Sequence, residues 1–275
     1  MQKNTRRAAA GLILAAATAL SGCSGSGTEP SAKVRTIDVA TNVLDTANSN
    51  KDAGSVLVNG APISTTNSQY GAPTPYQFVE AKNSSFQGRS YLTLPLYTDP
   101  TTSTTTAAPL PVIHMDVTDG QRYTAYLVGR RDVKTPLTSD FSDLDTAHYL
   151  NVIVLPDNQN IPPVGQANVR VLVAGPDIPA VDVLVNGSAP AGLTNLVYNP
   201  TGTSTVDVPV TAGAPSFSVN AAGTTTVIVP AKTLNLSAGS SYTLVVTEPT
   251  GAASPGNTPA TPPVVTTYGL TLVQN

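Results

Sequence analysis

Three aspartates, Asp140, Asp143 and Asp145, form the one carboxylate cluster of this 275-residue chain. Hard oxygen ligands at such spacing can hold Ca²⁺. Carboxylates can also cleave glycosides, provided two of them face each other across a cleft at roughly 5–10 Å. The run SDFSDLD lacks the glycine and the bidentate glutamate of an EF-hand loop. Three acids on one loop supply one wall of a cleft, not two. A solvated acidic loop is therefore the expectation. The three aspartates stay as a weak calcium candidate and as the residues of the alternative reading, an envelope glycan hydrolase. The two histidines are far apart in sequence. His114 alternates with Ile113 and Met115 on an apolar stretch and reads as structural, because a catalytic imidazole needs an orienting partner. His148 lies near Asp145. Asp177 and Asp182 flank a proline turn and are possible ligand contacts, with turn capping or a protective edge charge as the plainer account. Tyr76 and Tyr91, with Tyr70, Tyr97 and Phe78, could line a sugar- or peptide-binding face, although aromatics at strand spacing are more often cross-strand pairs. Nucleophile-elbow, zinc-protease and phosphate-loop motifs do not occur in the sequence. No catalytic residue, no enzyme activity, no cofactor and no zinc site is expected.

Cys23 is the only cysteine. It closes the tetrapeptide Leu20-Ser21-Gly22-Cys23. Ahead of it stand Lys3, Arg6 and Arg7 and then the apolar run AAAGLILAAATA. That run is too short to span a bilayer and sits where a signal peptide has its apolar core. The tetrapeptide resembles the bacterial lipobox, which implies cleavage before Cys23 and diacylation of its thiol, with palmitate among the acyl chains. One cysteine permits no internal disulfide. Several acyl chains on one residue anchor stably, where a single chain would be marginal. Ser24 follows, and in enteric-type bacteria a lipoprotein without aspartate there goes to the outer membrane. The expected address is thus the cell envelope, on an outer-membrane lipoprotein facing the periplasm or the surface.

The elements that must position these residues are strands. Charged residues make up only 11% of the chain, with 24 prolines, 21 glycines and no tryptophan. Thr, Ser and Val are abundant, which disfavours helix and favours short strands joined by turns. A net charge of −3 with no basic stripe argues against a nucleic-acid partner. Residues 167–187, ANVRVLVAGPDIPAVDVLVNG, alternate with period two on either side of a proline turn and close on Asn186-Gly187. A weaker copy opens at AKVRTIDVA (32–40) and GSVLVNG (54–60). Later, DGQRYT (119–124) matches AGSSYT (238–243), and 149–155 matches 268–273 in place and pattern. Further strands are expected at 76–80, 91–97, 110–117 and 122–128, the last two as a hairpin through 118–121. In the second copy they are expected at 193–198, 204–210, 216–220, 224–230, 241–247 and 266–273. The stretch 99–109 is low-complexity threonine and is expected to be exposed.

The predicted architecture is all-β: two tandem immunoglobulin-like antiparallel β-sandwich domains after a lipoprotein signal peptide and a short flexible tether. The signal peptide is 1–22, and 23–31 is the lipidated cysteine and tether. The first sandwich is 32–158, residues 159–166 are a stiff Pro-Pro linker, and the second sandwich is 167–275. Each copy is expected to own its core, and 167–275 to fold alone as a monomer. Two stretches, VRV…AGPDIPAVDVLVNG and LSAGSSYTLVV, are similar to the DUF4397 family of bacterial exported proteins. The second copy matches well. The first is divergent, lacking the proline turn and the counterpart of Asp182. The resemblance implies a β-sandwich in the envelope and no known activity. The expected function is a non-catalytic lipid-anchored binding, adhesion or scaffolding module. Its partners would be the membrane, through Cys23, and an envelope glycan or protein.

Overall fold

A computed structural model of the protein describes residues 31–40, 54–63, 70–81, 83–90, 96–98, 105–107, 112–129, 151–157, 160–176, 178–200, 206–247 and 268–275. Described secondary structure is all strand. In order these are β1 (Ser31–Asp38), β2 (Gly54–Val58), β3 (Ala61–Pro62), β4 (Gln77–Glu80), β5 (Ser84–Ser90), β6 (Leu96–Thr98), β7 (Thr105–Ala107), β8 (Val112–Met115), β9 (Arg122–Val128) and β10 (Asn151–Pro156). They continue as β11 (Gln166–Val173), β12 (Val181–Val185), β13 (Val208–Thr211), β14 (Ser216–Ala221), β15 (Val227–Thr233), β16 (Ser241–Thr247) and β17 (Gly269–Gln274).

The strands fall into two halves paired on one plan. In the first half one sheet has the order β10-β9-β1-β4, and in the second β17-β16-β11-β13. The facing sheets are β3-β2-β5-β8 and β12-β14-β15. Strand β1 runs parallel to β9, and β11 parallel to β16, so each first sheet carries one parallel pair among antiparallel ones. Strands β6 and β7 form a separate two-stranded sheet, placing part of the threonine-rich stretch in regular structure.

Local sequence explains the corners. Asn59 and Gly60 have φ of 51° and 78°, and Asn186 and Gly187 have 51° and 82°. Asn-Gly tolerates these left-handed values at both turn positions, which suits a two-residue hairpin bend. The amide carbonyl oxygens of Asn59 and Asn186 then accept from Ser85 N and Ser216 N, each at 2.9 Å, tying the turn to the next strand of its sheet. Residues 118–121 do not make the expected hairpin. Strand β8 belongs to one sheet and β9 to the other, so this turn carries the chain across the sandwich. The Tyr123 hydroxyl accepts from Thr118 N at 2.9 Å, and the Tyr242 hydroxyl accepts from Ser237 N at 2.9 Å, bracing the same corner in both halves.

Other sequence expectations shift. Strand β5, SSFQGRS, has no β-branched residue and one large apolar side chain, Phe86, which is fully buried. Periodicity alone missed it, yet it is a central strand between β2 and β8. The predicted strand at 193–198 makes only an isolated bridge, Val181 with Leu196. The two openings, β1–β2 and β11–β12, cross between sheets rather than pairing with each other.

Burial follows the two-layer plan, with one addition. One apolar cluster, around Val34, Val56, Phe86 and Leu127, lies within the first half. Another, around Val169, Val183, Phe217 and Leu244, lies within the second. A third is shared: Ile37, Tyr126, Ile153 and Leu155 of the first half pack with Leu172 and Val245 of the second. Each half therefore owns a core and also shares one, contrary to the expectation of separate cores alone. Strand β13 alternates buried and exposed residues, as a strand with one wet face must. Strand β16 is buried at all seven positions, because its second face meets the other half.

Candidate functional site

The densest polar arrangement among the described residues lies at this shared seam. It starts from one residue of β1. Alternation along Ser31–Asp38 points Val34 into the first-half core and Arg35 out of it. The outward face is covered, so Arg35 is only 8% exposed. Its Nε donates to Thr124 Oγ1 on β9 at 2.9 Å, and its Nη2 donates to the Gln274 carbonyl of β17 at 2.6 Å. Thr124 Oγ1 in turn donates to Asp157 Oδ1 at 2.6 Å.

The second half repeats the motif. Arg170, at the place on β11 that Arg35 holds on β1, is 3% exposed. Its Nε donates to Thr243 Oγ1 at 2.8 Å, and its Nη1 donates to the Pro156 carbonyl of β10 at 2.5 Å. Thr243 Oγ1 donates to Asn275 Oδ1 at 3.1 Å. A 4.0 Å ion pair joins Arg170 to Asp157. The Tyr126 hydroxyl is wholly buried here, facing Thr243 and Arg170. Burial pushes its titration up, opposed by the Arg170 charge.

Of the residues singled out from sequence, Tyr76 belongs to this network. Its hydroxyl donates to Asp157 Oδ2 at 2.5 Å, and Arg35 and Arg122 approach its ring at 4.9 and 5.5 Å. Desolvation, then the bond to the Asp157 carboxylate, hold this phenol well above its ordinary range. Such a hydroxyl is a poor acid that keeps its proton and serves as a donor. Beside it Phe78, 72% exposed on the edge strand β4, lies under Lys33 Nζ at 5.1 Å. Tyr76 is thus a structural tyrosine with one flank toward solvent, not the centre of an aromatic stripe.

Asp182 also has a structural use. It lies between Val181 and Val183, both fully buried, and faces the other way. Its Oδ1 accepts from Asn195 N at 2.7 Å and its Oδ2 from Gly223 N at 2.8 Å, so both carboxylate oxygens pin loops. His114 is exposed on β8, opposite Ser85. Cys23, Tyr91, Asp140, Asp143, Asp145, His148 and Asp177 lie outside the described residues. Among the described residues no group of three His, Cys, Asp or Glu could hold a metal ion.

Sequence reasoning missed Arg35, Arg170, Asp157 and Tyr126 as members of one site. A signal was present: Val-Arg opens both copies and Tyr-Thr recurs at 123–124 and 242–243. A repeated arginine among valines, opposite a repeated threonine, marks a strand face that is polar without being wet.

Chemically the arrangement fastens strands of the two halves to one another. Guanidinium groups reach carbonyls, and hydroxyls bridge to a carboxylate and an amide. Residues 167–267 match the model of a family described as a domain of unknown function, DUF4397. The match covers most of the second half and none of the first. No curated protein matches the chain.

Proposed function

We propose that the protein is a lipid-anchored, non-catalytic module of the cell envelope that presents two β-sandwich halves to an envelope glycan or protein. The observation that carries this reading is Cys23, the only cysteine, closing LSGC after a basic segment and a short apolar run. A lone thiol in an exported chain is used up when it is acylated. Palmitate and diacylglycerol on that residue give a stable anchor. Ser24, in place of aspartate, favours the outer membrane. The first half is a divergent copy of the DUF4397-like domain. Its sheet order, its Asn-Gly turn, its tyrosine-braced corner and its arginine–threonine pair all have counterparts in the second half. The non-catalytic part rests on how the described polar groups are engaged. Tyr76, Asp157 and Asp182 each hold another part of the fold.

The anchor is tested by expressing wild type and Cys23→Ala in a bacterial host and following the protein with and without globomycin. Wild type should yield a membrane-bound form whose first residue is acylated cysteine. Globomycin should accumulate a precursor, and Cys23→Ala should remain unprocessed. A wild-type protein found soluble with a free thiol would sink the proposal. The partner is approached by pull-down with the mature ectodomain on envelope glycans.

A further inference from the structure

We infer that the seam between the halves is a self-complementary association surface, and that the partner it fits is the same face on a second copy of this chain. The contacts obey a two-fold relation. Arg35 of the first half bonds the Gln274 carbonyl of the second, while Arg170 of the second bonds the Pro156 carbonyl of the first. Gln274 and Pro156 are equivalent positions, since each pairs with the corner tyrosine of its half: Gln274 with Tyr242, and Pro156 with Tyr123. The apolar contacts follow the same rule. Ile37 pairs with Tyr126 in its sheet and Leu172 pairs with Val245 in its own, and all four meet in the shared cluster. Each half also sends a tyrosine across. The Tyr70 hydroxyl donates to Thr247 Oγ1 at 3.2 Å, and the Tyr198 hydroxyl accepts from Asn151 Nδ2 at 3.3 Å.

Reciprocal contact, in which i meets j while the equivalent of j meets the equivalent of i, is the signature of an isologous dimer interface. Here it is closed inside one chain. Of the segment between β10 and β11, Asp157 belongs to the seam, whereas Ile161 is 90% exposed and Val164 fully so. Two faces of one design, joined by a short connection, hold together without that connection. They also remain open to exchange with another copy, because covalent linkage favours the internal partner only through its high effective concentration.

The test uses the full chain with a protease recognition sequence inserted after Ile161. The folded protein is cleaved there and run on a sizing column with light scattering. The two halves should migrate as one species with the mass of the uncut chain. Mixing cut protein with an isotope-labelled cut preparation should give hybrid pairs by native mass spectrometry. Halves that separate into monomers on cleavage overturn the inference, and halves that stay paired but never form hybrids overturn the second-copy partner. Cut Ile37→Asp should dissociate while each half keeps its β circular dichroism. Undiminished pairing in that variant would place the holding contacts elsewhere and overturn the assignment. Leu172→Asp, from the opposite side, should do the same if Ile37→Asp disturbs the first-half fold.

Discussion

The two halves keep one arginine–threonine pair at the covered seam and differ at the sheet edge beside it. Beside the seam, Arg35 and Thr124 correspond to Arg170 and Thr243, in like geometry. One row further out, Lys33 pairs with Phe78 on β4, whereas Asn168 pairs with Pro209 on β13. The exposed aromatic and the cation above it belong to the first half alone. A residue buried between two packed layers answers to both, so few replacements fit. An exposed edge residue such as Phe78 answers to fewer neighbours. The family match to residues 167–267 falls on the second half, and the first half repeats its sheet order.

The largest expected effect separates the two arginines. Arg170→Ala should destabilise the protein by about 3–5 kcal/mol, because it leaves the buried Asp157 carboxylate without its cation. Arg35→Ala should cost visibly less, since Arg35 is the more exposed of the two and makes no such ion pair among the described contacts. Urea denaturation midpoints compare them, and equal losses would show that the seam is electrostatically symmetric. Ile37→Ala and Leu172→Ala should each cost about 2–4 kcal/mol, the usual range for truncating a buried aliphatic side chain. Similar values in the two variants would confirm that each half contributes equally to the shared cluster.

A pH dependence distinguishes the halves further. The Tyr76 phenol is held above its ordinary value of 10.0 by burial and by Asp157. The unfolded chain loses this proton first, so folded-state stability falls as pH rises past about 10. At the corresponding place the second half has Asp207. Tyr76→Phe should therefore flatten the alkaline limb of a stability–pH curve, and an unchanged limb would remove Tyr76 as its source. Smaller effects probe what the halves share. Tyr123→Phe and Tyr242→Phe each delete one acceptor at a chain corner and should cost about 1 kcal/mol apiece. A marked inequality between them would mean the corners are not equivalent.

These comparisons also show what the sequence made legible. The strand segments 122–128 and 241–247 and both Asn-Gly turns were readable, because period-two patterning and left-handed turn chemistry act locally. The seam was not. Alternation assigns Arg35 and Arg170 to the face opposite the core, and from one strand that face looks like solvent. What covers Arg35 is Gln274, 239 residues away. The all-buried pattern of β16 was the available hint, since a strand wet on one face does not run Leu-Val-Val. Tyr76 reads as one of several aromatics that could line a binding face, and the structure uses its hydroxyl, bonded to Asp157. Asp182 reads as a turn cap, an edge charge or a ligand contact, and its use is to accept two backbone amides of neighbouring loops.

The central structural claim, that two copies of one framework are fused through a common buried face, is tested most directly by scanning calorimetry of the intact ectodomain. The shared cluster couples the halves, so unfolding should appear as one transition whose calorimetric and van't Hoff enthalpies agree. Ile37→Asp should split it in two. Two well-separated transitions in the wild-type protein, unchanged by Ile37→Asp, would contradict the account.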